Sequence, residues 1–250
     1  MNFYPIFRKE LCSYLISPIF YCVLTTFLVL SGYFFFTDLT FYDITNFKGT
    51  TDPVEGMWAR YFYDLRFIFI LLMPLLTMKL LAEEKKLGTF ELITTYPVRD
   101  IEILVGKYLA SLAVFTFMLA LTLTNVLFWG LLWGFSGLQP LLACYLGLFL
   151  LGCSLIACGI FISSLTENQA VAGMATLVTF IFFWFLTWNE MMATEKIVRV
   201  LVRFSLFDRI GGFFRGVIDT KDVAFFVLFI FFFLFLALRA LETRYWRGQK

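Results

Sequence analysis

Glu83 to Val98 reads Glu-Glu-Lys-Lys-Leu-Gly-Thr-Phe-Glu-Leu-Ile-Thr-Thr-Tyr-Pro-Val and gathers Glu83, Glu84, Lys85, Lys86 and Glu91 between two apolar stretches. Carboxylates and ammonium groups held this close can make charge-assisted hydrogen bonds to a soluble protein. Gly88-Thr89 can cap a short helix running through Thr95, and Pro97 stops its continuation. On such a helix Phe90 and Ile93 share one face, and Glu91 and Thr94 another. Two readings stand side by side: a docking helix for a soluble partner, and a solvated hairpin whose charges keep the loop out of lipid.

Material for catalysis is thin. The chain has no histidine, which removes the commonest general base and metal ligand. Its cysteines, Cys12, Cys22, Cys144, Cys153 and Cys158, lie in or beside apolar stretches, where thiols behave as small hydrophobes. Cys153 and Cys158 fall about 140° apart on a helix of roughly 3.6 residues per turn, so they do not face one site. A phosphate loop needs Gly-x-x-x-x-Gly-Lys-Ser/Thr to cradle nucleotide phosphates. The only Gly-Lys pair, Gly106-Lys107, is followed by Tyr108, and Ile101 takes the first glycine position. ATP hydrolysis therefore needs another chain. An intramembrane enzyme would need paired catalytic groups at membrane depth, and the third to fifth apolar stretches hold no carboxylate.

The elements that must position the loop are membrane helices. Hydrophobic residues make up 61% of the 250 and charged residues 15%, too few to coat a soluble fold of this size. The net charge of +2 and the lack of a long basic run give no footprint for nucleic acid. Runs without charge, long enough to cross roughly 30 Å of hydrocarbon, predict six spans. They fall at about 17–36, 62–82, 107–133, 141–163, 168–189 and 222–240, in one domain covering residues 1–250. Ser17-Pro18 suits the start of the first. Pro74 predicts a kink in the second, where Asp64, Arg66 and Lys79 must sit at or snorkel to the interfaces. Gly134 to Pro140 breaks the chain between the third and fourth, and Ser164-Leu-Thr-Glu167 reads as a capping box for the fifth. Six spans put both termini on one side; lysine and arginine divide almost evenly between the sides and choose weakly.

Smaller features follow. Residues 3–15 form an amphipathic interfacial helix with Phe3, Phe7, Leu11, Tyr14 and Leu15 on one arc and Arg8 and Lys9 away from it. Glu10 sits at the edge of that arc, with nothing in the composition to explain it. Between the last two spans, Glu195, Arg199 and Arg203 at four-residue spacing suit a short amphipathic helix. Ser154–Cys158, Cys153–Ala157 and Gly159–Ser163 are small pairs that let helices approach closely, within the chain or at a dimer seam. Asn125 belongs against a neighbouring helix or along a substrate path; with Thr116, Thr122, Thr124 and Thr176 it makes a sparse polar lining.

Leu81-Ala-Glu-Glu-Lys-Lys-Leu-Gly-Thr-Phe-Glu-Leu92 through Pro97-Val98 resembles the signature loop of type-2 ATP-binding-cassette (ABC-2) permeases. Arg8-Lys-Glu-Leu11 with Ser17-Pro18, Gly106-Lys107, Phe161-Ile-Ser-Ser-Leu-Thr-Glu-Asn168, Arg215-Gly-Val-Ile-Asp219 and Arg239-Ala-Leu-Glu-Thr-Arg244 also fit. The likeness covers almost the whole chain and is nearest the gliding-motility branch.

The resemblance implies an all-α integral membrane fold of six helices, with an N-terminal interfacial helix, a cytoplasmic coupling helix and short external helices between spans five and six. It implies a permease subunit that exports an unidentified substrate, with ATP and Mg held by a partner ATPase in two copies and none in this chain; the sparse polar lining is compatible with an amphiphilic cargo and equally with none. Glu83, Glu84, Lys85, Gly88, Thr89, Phe90, Glu91 and Leu92 would dock that ATPase. A second permease copy or a related permease would complete the pathway in the bacterial inner membrane, both termini cytoplasmic, with an auxiliary membrane or periplasmic subunit as a further partner. The competing expectation is a mechanical or assembly subunit, like the gliding machinery, that passes ATPase cycles to a periplasmic partner without moving cargo.

Overall fold

The protein, in a computed structural model, is described over residues 3–45, 54–88, 99–134, 138–188 and 205–247. These form helices α1 (Phe3–Ile16), α2 (Pro18–Thr45), α3 (Ala59–Thr77), α4 (Ala82–Lys86), α5 (Asp100–Leu121), α6 (Leu123–Trp133), α7 (Leu138–Leu165) and α8 (Gln169–Trp188). Two short helices, α9 (Leu206–Arg209) and α10 (Gly211–Phe214), precede the last, α11 (Thr220–Arg247). A π-helical turn, Val54–Trp58, leads into α3, and no strand occurs among the described residues. Six segments are long and apolar enough to cross a membrane: Pro18–Ile44, Gly56–Lys86, Asp100–Leu132, Pro140–Leu165, Gln169–Leu186 and Thr220–Thr243.

The predicted spans are all present, but the first ends later than expected, the second extends at both ends and the third begins earlier. Span one continues past Thr37 because Asp38, 3% exposed, lies against Arg60 at 3.7 Å instead of marking the helix end. Span three begins at Asp100 because Lys107 is buried rather than snorkelling. A paired charge does not end a helix, so charge placement alone set these boundaries too far inward.

Span two is built in two pieces. Proline at position 74 has no N–H to give, and regular helix stops one turn later at Thr77. The chain then turns and re-enters helix at Ala82. Ser163 on span four bridges the gap: its hydroxyl accepts from Leu81 N and Ala82 N at 3.2 and 3.1 Å and donates to the Met78 carbonyl at 3.3 Å. In lipid, each of those backbone groups would otherwise lack a partner. Span three also breaks, at Thr122, whose hydroxyl bonds the Leu119 carbonyl and the Tyr145 hydroxyl.

Span four is the centre of the bundle, and the small residues explain how. A Cβ on Gly159 would stand 2.3 Å from the Thr77 hydroxyl, one on Gly152 2.2 Å from the Phe115 ring, and one on Gly147 2.6 Å from Phe213. Cys153, Ser154, Ala157, Cys158 and Ser163 are buried within the single chain. The small pairs therefore serve intrachain packing, not a dimer seam. The fifth span is capped differently from expectation: α7 runs on through Ser164, whose hydroxyl bonds Phe161 O, while Asn168 caps α8 by accepting from Ala170 N at 3.0 Å. The short amide reaches the second N–H of the new helix, which Ser164 is too far back to do.

Short helices between spans five and six are present as α9 and α10. They tuck into the bundle: Leu206, Phe207, Ile210, Phe213 and Phe214 are at most 1% exposed. Phe214 meets Phe62 and Tyr63, and the Cys144 thiol donates to Phe213 O. The amphipathic helix expected around Glu195, Arg199 and Arg203 lies outside the described residues.

Candidate functional site

Where α1, α4 and α5 come together, four charged side chains meet. Glu10 on α1 is the most buried residue of that helix, not the edge of an apolar arc. The helix lays Phe3, Ile6, Phe7, Glu10 and Tyr14 toward the bundle while Leu15 is half exposed. It comes close because position 106 is glycine, where a Cβ would stand 3.0 Å from the Ile6 methyl and 3.3 Å from the Phe3 carbonyl. That approach brings Glu10 to the next residue, Lys107.

Lys107 is 1% exposed, and an ammonium so buried requires compensation. It has two carboxylates: Glu10 Oε1 at 2.9 Å and Glu84 Oε2 at 2.8 Å. Lys9 adds a second cation, 3.0 Å from Glu84 and 3.6 Å from Glu10. Two positive and two negative groups cancel. Burial works against the Lys9 ammonium, but the neighbouring Glu84 and Glu10 outweigh it and hold its pKa above the ordinary lysine value. Tyr14 extends the seam by donating to Leu76 O at 2.8 Å, and burial together with the Glu10 charge raises its phenol pKa. Beside the cluster opens a cleft of about 650 Å³ whose walls include Ser13, Ser17, Lys79 and Glu83.

The sequence-predicted loop residues divide accordingly. Glu84 turns inward to Lys107. Lys85 donates to the Ser164 carbonyl at the end of span four. Glu83 lines the cleft, and Gly88, at φ 68°, ends α4 in the left-handed conformation that favours glycine. Thr89, Phe90, Glu91 and Leu92 lie outside the described residues. Glu10 and Lys107 were not among the predicted site residues. The signal for them was a charge on an apolar face and a charge at the mouth of an uncharged run, opposite in sign.

The cluster can do no covalent chemistry of an evident kind; its ion pairs join separate elements. Glu84 precedes residues 89–98 and Lys107 follows them, so their contact ties together the two flanks of that stretch of sequence and, through Glu10, α1. Among the described residues, no three histidine, cysteine, aspartate or glutamate side chains form a metal-binding group. The cysteines are free, with Cys144, Cys153 and Cys158 buried and Cys12 and Cys22 exposed. A second polar cluster lies within the spans, where Asn125 donates to Tyr61 Oη at 2.9 Å and Ser31 Oγ at 3.3 Å. Asn125 thus bonds neighbouring helices.

Residues 4–200 match the family model described as ABC-2 family transporter protein, a stretch that includes α1, the first five spans, the loop and all four charges of the cluster. The chain belongs to the ABC-2 transporter family. No curated protein matches it. The match reaches the family and does not single out the gliding-motility branch. Family members are membrane subunits that are not themselves catalytic and typically partner with an ABC ATPase. This ABC-2 protein is accordingly a multi-pass membrane protein, its six spans arranged around span four.

Proposed function

We propose that this chain is the permease subunit of an ATP-binding-cassette exporter, driven by a separate ATPase that docks on the loop beginning at Glu83. The observation that carries this reading is the Lys107 cluster, which ties both flanks of that loop to α1. A push on the loop then reaches the start of span three and the interfacial helix together, instead of dissipating in a free hairpin. The aromatic interior and its sparse polar groups favour an amphiphilic cargo. Two ATPase grooves call for two permease copies, or this chain with a related permease, and ATP and Mg belong to the ATPase. The membrane is the bacterial inner membrane, with the termini and the loop in the cytoplasm.

Orientation is tested by single cysteines in a cysteine-free background. Cysteine at Lys48 should react with an impermeant reagent from outside, and cysteine at Gln249 only after the membrane is opened. The reverse pattern overturns the topology and the docking role together.

Docking is tested by recovery of ATPase with the tagged permease from membranes at equal expression. Glu91→Arg and Phe90→Asp are expected to lower recovery at least about tenfold, since losing one partner of a desolvated interfacial pair costs roughly 2–5 kcal/mol. Lys48→Glu, on the other side, should change nothing. Full recovery and full ATPase stimulation in both loop variants would reduce the loop to a solvated hairpin.

A further inference from the structure

Between span two and the short helices α9 and α10 lies a cavity of about 400 Å³ bounded by Tyr63, Arg66, Phe207, Asp208, Gly211, Gly212 and Arg215. Arg66 projects from span two, which the sequence reading could place only as an interfacial charge. Its guanidinium is held in place by the Tyr63 ring at 4.8 Å, the Phe207 ring at 5.7 Å, and one hydrogen bond from Nη1 to the Phe207 carbonyl at 2.8 Å. The carboxylates of Asp208 and Asp64 act on its charge from further away. Nε is buried without a hydrogen-bond partner, and neither carboxylate makes a direct ion pair with the group among the described residues. Its neighbour Arg209, by contrast, is matched by Asp222 at 2.9 Å.

Arg215, exposed, brings a second cation to the same cavity, whose lining includes the carboxylate of Asp208. The wall between them is Gly211-Gly212. A Cβ on Gly211 would come within 3.2 Å of the Tyr63 hydroxyl, so glycine here keeps a polar recess open where a side chain would crowd it. A fixed, planar, incompletely bonded guanidinium with a second arginine nearby is the arrangement that recognises oxyanions, because its N–H groups match the spacing of two oxygens.

We propose that this cavity is a binding site for a phosphate or carboxylate group, with Arg66 as the fixed donor, Arg215 as the exposed one, and the Tyr63 hydroxyl as a neutral partner. The site stands apart from the coupling reading, since neither its geometry nor its test involves the ATPase.

The experiment uses the full chain in phosphatidylcholine nanodiscs, titrated with dodecyl phosphate while the thermal unfolding midpoint is followed. Saturable stabilisation is expected for the wild type. The concentration needed should rise about tenfold or more in Arg66→Gln and in Arg215→Gln, each of which removes a charge-assisted contact. Arg215→Gln carries the test if loss of the Phe207 contact impairs folding in Arg66→Gln. Inorganic phosphate and phosphatidylglycerol, tested separately, distinguish a soluble anion from a lipid headgroup: stabilisation by phosphate alone supports the first, and stabilisation only by the anionic lipid supports the second. Equal stabilisation by dodecyltrimethylammonium overturns the proposal. So does an unchanged dodecyl phosphate titration in Arg215→Gln, or no saturable effect of any anion.

Discussion

Lys107→Met is expected to destabilise the protein by about 3–5 kcal/mol, because removing one partner of a buried ionic cluster leaves the other charges uncompensated. Here Glu10 and Glu84 both lose their shared cation, and only the half-exposed Lys9 remains to them. Replacing the whole cluster should behave differently. In Glu10→Leu/Glu84→Gln/Lys107→Met the cluster keeps no buried charge, and exchange of a buried ion network for neutral groups is often close to neutral for stability. The triple variant is therefore expected to regain most of the wild-type melting temperature in detergent. On the proposed function it should not regain ATPase stimulation, since the flanks of the loop and α1 are no longer tied. Size-exclusion profiles, melting and ATPase activity of the reconstituted complex check the two halves separately. A Lys107→Met protein as stable as wild type would mean that the cluster is not the compensated buried network described; a triple variant with full stimulation would remove its mechanical role.

Gly152→Ala should cost about 1–3 kcal/mol, the usual range for added volume in a packed core. The added methyl would stand 2.2 Å from the Phe115 ring, and that ring is 1% exposed, hemmed in by Phe69 at 5.2 Å between centroids. It has no free space to swing into. Phe115→Leu in the same chain shortens the facing side chain and is expected to recover at least half of the loss. Phe115→Leu alone should itself destabilise by leaving a void. The non-additivity of the pair, read from melting midpoints of the purified variants, is the decisive quantity. Simple additivity would show that spans three and four do not meet at this point.

Much of this architecture was legible without coordinates. Length and hydropathy are local properties, and lipid imposes them strongly: a segment that must satisfy its own backbone in hydrocarbon becomes a helix, so uncharged runs reveal spans. The broken connections were legible for the same reason. Gly134 has φ 86° where the third span ends, and Pro74 lies one turn before regular helix stops in the second. The helix α1 before the first span was likewise readable from side-chain spacing.

Only the tertiary structure decided where buried charges belong. Asp38 and Lys107 look, in sequence, like the ends of spans, and each instead lies within one because an opposite charge arrives from a distant part of the chain. Glu10 had no local reason at all. Its reason is Lys107, 97 positions away, delivered by the close approach that Gly106 permits. Ser163 shows the same limit. Read along span four it is one of a pair of small residues, and in three dimensions its hydroxyl bridges the gap in span two. Hydrophobic periodicity is written residue by residue and survives translation into structure almost unchanged. Compensation of a buried polar group is a property of pairs, and the sequence carries one member at a time.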